Sequence, residues 1–178
     1  TFDAYSGLKK PDGKTWGTWG CATLIVKAPD FRAEGMTIEN GYDYNANDVL
    51  DKKDPKYQKD AQAVALMTDT GSDRAVFFNV KVTGFQDTLF TNAGRAYFYK
   101  SYVSGHVDFI FGAGQTVFED SDIVVRPRVR DDLKTIGYIS APSTKIENKY
   151  GLVFIKSRLK KENDKVPANS TPLGRPWH

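Results

Sequence analysis

The chain has 178 residues, 40% of them hydrophobic and 26% charged, enough for one domain with a sizeable core and too apolar for a disordered segment. Its net charge of +3 is too small for a nucleic-acid footprint, and there is no apolar run of the roughly eighteen residues needed to span a bilayer. A single cysteine, Cys21, excludes an intrachain disulfide, and two isolated histidines, His106 and His178, argue against a His-built metal site or a Ser-His triad.

The opening "TFDAYSGLKK" has neither an initiator Met nor the layout of a signal peptide, and the closing "LGRPWH" stops without a tail. Both ends are therefore expected to be truncated, and the missing leader says nothing about secretion. Between them helical periodicity is nearly absent. Short apolar runs rich in Val, Ile, Phe, Tyr and Thr, punctuated by Gly, Asn and Asp, predict strands at 22–27, 35–39, 62–67, 75–82, 87–90, 96–103, 107–111, 116–125, 136–140 and 151–158. Polar stretches at 41–61, 126–135 and 160–172 read as loops. Within the second, the basic run Arg126, Arg128, Arg130 is answered by Asp131 and Asp132 and reads as a solvated face. Cys21 reads as a buried structural thiol.

The strands repeat. "AVFFNVKVTGFQDTLF" (75–90) lies over "AYFYKSYVSGHVDFIF" (96–111), matching Phe77 to Phe98, Val82 to Val103, Gly84 to Gly105 and Phe90 to Phe111, always 21 residues apart. Phe118 continues the series 20 residues after Phe98, and 35–40 falls 44 positions before 79–84. Short-strand repeats of this length, with no helix between them, predict an all-β single-stranded solenoid, the parallel β-helix, as one unit over 1–178. A β-sandwich would explain the strands but not the constant offset.

That register sets Asp87 of "GFQDTLF" upon Asp108 of "GHVDFIF". Neighbouring coils of such a solenoid lie roughly 4.8 Å apart, so the two carboxylates become neighbours and should not both ionise freely. One can then hold a proton while the other stays an anion, an acid and a nucleophile from one residue type. Taken singly, either Asp reads as a surface turn residue; the coincidence within two apolar segments is what points to chemistry. Gln86 and Gln62 offer neutral amide donors suited to a transient oxyanion, although each alone reads as an ordinary ladder residue. Arg175 can pair with a carboxylate, and Trp177, Phe90 and Phe111 can offer apolar platforms to a sugar ring or simply pack in the core. Gln86 and Asp87 are adjacent, so aiming both at one groove requires a bend or bulge at 85–87.

The segments "GFQDTLF", "GHVDFIFG", "QAVAL" and "LGRPW", in this order, resemble the signature segments of the pectin methylesterases, and "SAPST" and "YGLVFIKSR" resemble their bacterial-type branch. The resemblance implies a right-handed parallel β-helix, secretion, no metal or organic cofactor, and hydrolysis of methyl esters on polygalacturonate (pectin, homogalacturonan) by a monomer. It further implies Asp108 as nucleophile, Asp87 as acid and then base, Gln86 and Gln62 as oxyanion donors, and Arg175 as the residue that holds Asp108. Trp177, Phe90, Phe111, Val107 and, less securely matched, Thr18 fall at substrate-contacting positions, with Phe90 standing where Tyr is common. Two rival readings are a pectin-chain glycosidase, since carboxylates about 5 Å apart suit a retaining mechanism, and a non-catalytic polysaccharide-binding β-helix.

Overall fold

The computed structural model describes residues 1–130 and 132–177; Asp131 and His178, both part of the sequence reading, lie outside the described residues. Fifteen strands are described, and they fall in threes, one triplet to a turn of the chain. The first turn holds β1 (Leu24–Val26), β2 (Arg32–Glu34) and β3 (Thr37–Glu39), followed by a short helix α1 (Tyr44–Asp48). The next two hold β4 (Leu66–Thr68), β5 (Ala75–Phe78) and β6 (Lys81–Thr83), then β7 (Leu89–Thr91), β8 (Arg95–Tyr99) and β9 (Tyr102–Gly105). The last two hold β10 (Ile110–Gly112), β11 (Gln115–Glu119) and β12 (Asp122–Val125), then β13 (Ser140–Pro142), β14 (Leu152–Ile155) and β15 (Arg158–Lys161). Corresponding strands pair in parallel, giving three five-stranded sheets ordered β1-β4-β7-β10-β13, β2-β5-β8-β11-β14 and β3-β6-β9-β12-β15. This is a parallel β-helix. No described helix is long and apolar enough to cross a membrane.

The predicted register holds: Phe77 sits on Phe98, Val82 on Val103, Phe90 on Phe111, Phe98 on Phe118, and Thr37 on Lys81. Strand alternation then aims one residue type inward on every turn. Phe77, Phe98, Phe118 and Phe154 form an internal column whose successive rings stack at 4.4, 5.0 and 5.1 Å with interplanar angles of 9°, 20° and 12°. Each such buried ring contributes about 1.5–3 kcal/mol by leaving water, and each stacked pair about 0.5–1.5 kcal/mol more.

Several predicted strands are two strands in the structure. Runs 75–82, 96–103, 116–125 and 151–158 each break at one residue in the left-handed region: Asn79 (φ 51°), Lys100 (48°), Asp120 (46°) and Lys156 (49°). Each break turns the chain from the second sheet into the third. The serine after three of them bonds across turns, with Val80 N donating to Ser101 Oγ (3.2 Å), Ser101 N to Ser121 Oγ (3.0 Å) and Ser121 N to Ser157 Oγ (3.3 Å). The 62–67 strand begins only at Leu66 and the 136–140 strand only at Ser140; before it, Ile136 N and Ile139 N donate to the O atoms of Ser170 and Pro172. Helix α1 also lies within the stretch read as a loop, its first turn closed by Asp43 accepting from Ala46 N (3.0 Å).

Candidate active site

The first sheet, β1-β4-β7-β10-β13, has two apolar faces. Leu66, Leu89 and Ile110 point into the helix, while Met67, Phe90, Phe111 and Ala141 point outward and pack with Cys21, Val64 and Ala4 under the N-terminal segment. Cys21 is fully buried, its thiol directed at the O atoms of Thr18 (3.6 Å) and Gln62 (3.7 Å). It packs as a small apolar side chain.

Asp87 and Asp108 stand just before β7 and β10, at the edge of this outer face. Neither lies in a strand. Both adopt left-handed backbone, Asp87 at φ 60° and Asp108 at φ 48°, a conformation that Asp tolerates better than most residues but that still carries strain of order 1–3 kcal/mol. This is the expected bend at 85–87, and it recurs one turn later. Asp87 N donates to Val107 O at 3.0 Å and His106 N to Phe85 O at 3.0 Å, so the two bends are stitched together. Gly105 makes the stacking possible: a Cβ there would lie 2.5 Å from Phe85 O and 2.3 Å from Phe109 Cβ.

Both carboxylates are buried, Asp87 at 9% exposure and Asp108 at 8%, yet their partners differ. Arg175 grips Asp108 with two bonds, Nε to Oδ1 at 2.9 Å and Nη2 to Oδ2 at 2.5 Å. Such a fork matches the carboxylate in shape and fixes the direction in which it points. Burial instead pushes the Asp87 carboxyl well above its usual range; the Asp108 charge pushes the same way, and Arg175 and the Gln86 amide only partly oppose them. Asp87 is thus biased toward the neutral form beside a carboxylate clamped by a guanidinium.

Arg175 is presented by a segment that runs parallel to β13. Ser140 N donates to Leu173 O (3.0 Å), Arg175 N to Ser140 O (3.0 Å) and Trp177 N to Pro142 O (3.1 Å). From there the guanidinium reaches past Tyr138, whose ring centroid lies 5.8 Å from Cζ. Gln86 and Gln62 come together on adjacent turns, linked by Ala63 N donating to Gln86 O at 3.2 Å. Gln62 Oε1 is buried with no hydrogen-bond partner among the described residues. Val107 is half-buried between the two aspartates, and Thr18 is half-buried in the N-terminal segment.

The aromatic rings form two layers. Of the two readings of Phe90 and Phe111, sugar platform or core packing, their burial fits the second: Phe90 (0% exposed) and Phe111 (2%) stack on each other at 4.2 Å and are roofed by tryptophans. Trp177 meets them edge-on at 6.2 and 5.5 Å, and Trp19 meets Phe90 at 5.1 Å. The outward ring surface is therefore Trp19, 53% exposed, with Trp177 6.4 Å away. The sequence reading missed Trp19 although it adjoins Thr18 in "WGTWG". The basic loop also departs from a solvated face: Arg128 forks onto Asp48 at 2.9 and 2.6 Å with both side chains largely buried, and Arg126 covers the Phe85 ring at 4.0 Å. Only Arg130, paired with Asp132, is exposed as expected. Among the described residues no three His, Cys, Asp or Glu side chains converge as a metal would require.

A family model described as Pectinesterase matches residues 5–178. The chain belongs to the pectinesterase family. It is 47% identical over 176 residues to Pectinesterase A of Dickeya chrysanthemi, covering 97% of this chain and 48% of that protein. Against the pectinesterase of Ralstonia nicotianae the identity is 38% over 162 residues, covering 88% and 38%. Solved pectinesterase structures agree: a pectin methylesterase in complex with hexasaccharide VII superposes with a TM-score of 0.95 at 46% identity, over 99% of this chain and 52% of that one. The Yersinia enterocolitica pectin methylesterase gives 0.92 at 48% identity, covering 99% and 55%. The chain spans about half the length of the curated relatives it matches.

Proposed function

We propose that this chain belongs to an enzyme that hydrolyses the methyl esters of pectin, releasing methanol and leaving free galacturonate carboxylates, with residues 1–178 forming part of one monomeric β-helical catalytic unit outside the cell. The observation that carries this reading is the asymmetry of the aspartate pair: Arg175 forks onto Asp108 alone, while buried Asp87 is driven toward its protonated form. Pectin methylesterases of closely similar fold, one of them in complex with a hexasaccharide, support the substrate class.

In this mechanism ionised Asp108 attacks the ester carbonyl carbon. The oxyanion that forms is stabilised by the neutral amides of Gln62 and Gln86. As the tetrahedral intermediate collapses, the carbon–methoxy bond breaks and Asp87 gives its proton to the departing methanol, leaving an anhydride on Asp108. Asp87, now an anion, takes a proton from water as the hydroxyl adds to the acyl carbon. The anhydride breaks, Asp108 leaves as a carboxylate, and Asp87 is again protonated. Arg175 holds Asp108 for attack and accommodates its charge as it is lost and regained. Trp177, Trp19, Val107 and Thr18 contact the sugar chain, with Phe90 and Phe111 as the floor beneath the tryptophans.

Product analysis tests this against the rival carboxylate chemistry. Methylated polygalacturonate should yield methanol with no new reducing ends; chain shortening would assign the pair to glycoside hydrolysis. The carbohydrate-binding alternative predicts binding without methanol.

A further inference from the structure

His106 sits two residues before Asp108, fully buried, and neither ring nitrogen has a hydrogen-bond partner among the described residues. A buried polar group left unpaired costs about 1–3 kcal/mol, so its place needs a reason. The ring fills a slot between two others: Tyr44 of α1 meets it edge-on at 4.6 Å, and Phe85 lies at 5.4 Å. Arg126 covers Phe85 at 4.0 Å and Arg128 lies over Tyr44 at 5.6 Å. Imidazole and rings thus form a layer closed at both ends by guanidinium groups. Its backbone is fixed as well. His106 N donates to Phe85 O, and a Cβ at Gly137 would come within 2.1 Å of His106 O, so the 137 backbone packs directly on this bend.

We propose that His106 is a positioning residue: its neutral imidazole, wedged between Phe85 and Tyr44, locks the bends that present Asp87 and Asp108, and its protonation unlocks them. The proposal rests on the assignment of those two aspartates as the reacting pair. The titratable and charged groups around the ring are Tyr44 and Asp48 from α1, Arg126 and Arg128 from the segment after β12, and Asp87, whose charge reaches Tyr44. Asp48 is committed to Arg128. Burial first, then Arg128 and Arg126, hold the imidazole well below its usual pKa. A depressed histidine means that the unfolded chain binds the proton first as pH falls. The stability conferred by the neutral ring is complete above the unfolded value of about 6.5 and declines below it, down to the folded pKa, by up to about tenfold in the unfolding constant per pH unit.

The test compares wild type with His106→Phe, which keeps a ring in the slot but takes no proton, and with His106→Ala and His106→Gln. Denaturant unfolding is measured from pH 7.5 downward, and methanol release gives kcat and KM. The stability of wild type relative to the Phe variant should fall with the one-proton slope as pH drops below about 6.5, Asp87 titrating in both proteins and cancelling. Removal of the ring in the Ala variant should lower kcat about tenfold or more with KM nearly unchanged, and the Phe variant should recover most of it. If the Ala variant does not fold, Gln takes its place. A pH-independent stability difference, or a folded Ala or Gln variant with wild-type kcat, would overturn the proposal. The stability measurement is independent of methanol release, and an error in the aspartate assignment reads separately, as methanol release retained by Asp108→Asn.

Discussion

Asp87→Asn separates the function of the aspartate pair from its cost. Asp87 is buried beside a second carboxylate, and its carboxyl is raised by burial and by the Asp108 charge. A carboxylate whose folded pKa lies above its unfolded value of about 3.9 loses stability as pH rises from that value to the folded pKa, at up to about 1.4 kcal/mol per pH unit. Asparagine is nearly isosteric, tolerates the left-handed backbone at φ 60°, and carries no charge to desolvate or repel Asp108. The variant should therefore be more stable than wild type at neutral pH, with the gain growing across that window and vanishing below about pH 3.9. Urea unfolding at a series of pH values reads the slope directly, and methanol release should be lost in the same protein. A variant less stable than wild type at pH 7, or equally stabilised at every pH, would refute the reasoning that Asp87 is a strained, protonatable acid.

Other outcomes follow from single contacts. Arg175→Lys keeps the charge but not the fork onto Asp108, so kcat should fall about tenfold or more with the fold unchanged by circular dichroism. Gln62→Ala and Gln86→Ala should each lower kcat by about 10²–10³ with modest changes in KM, as expected for donors used mainly in the transition state. Phe98→Ala removes the ring between Phe77 and Phe118 and should cost about 3–5 kcal/mol in denaturant unfolding. Arg128→Ala leaves Asp48 buried and unpaired and should cost about 3–5 kcal/mol, raising exchange of the α1 amides.

The β-helix was legible because three successive turns carry almost no insertion. The 21-residue offset that joins Phe77 to Phe98 and Asp87 to Asp108 is a direct image of stacked strands. Where loops intervene the image fades: β10 and β13 pair 30 residues apart, β11 and β14 36 apart, and only the 44-residue step from β3 to β6 was caught. The breaks at Lys100 and Lys156 were invisible because lysine carries no turn preference; tertiary pairing on both sides forces its backbone left-handed. Asp87 and Asp108 were legible as a pair, since the register joins them; Arg175, read alone, was as good a surface charge, and only the resemblance set it upon Asp108. The roof of Trp19 and Trp177 over Phe90 and Phe111 was not, because a strand pattern fixes which face a ring takes but not what folds across it. The pairing of Arg128 with Asp48, 80 residues apart, was hidden for the same reason.

The assignment of Asp108 as nucleophile is the centre of the account, and trapping the acyl-enzyme tests it most directly. Hydroxylamine added during turnover should attack the anhydride at the aspartyl carbonyl, release the galacturonate carboxylate and leave a hydroxamate on Asp108, detectable by peptide mass spectrometry and dependent on methylated substrate. Methanol release with hydroxamate on neither Asp108 nor the galacturonyl group, or with the label on Asp87, would contradict it.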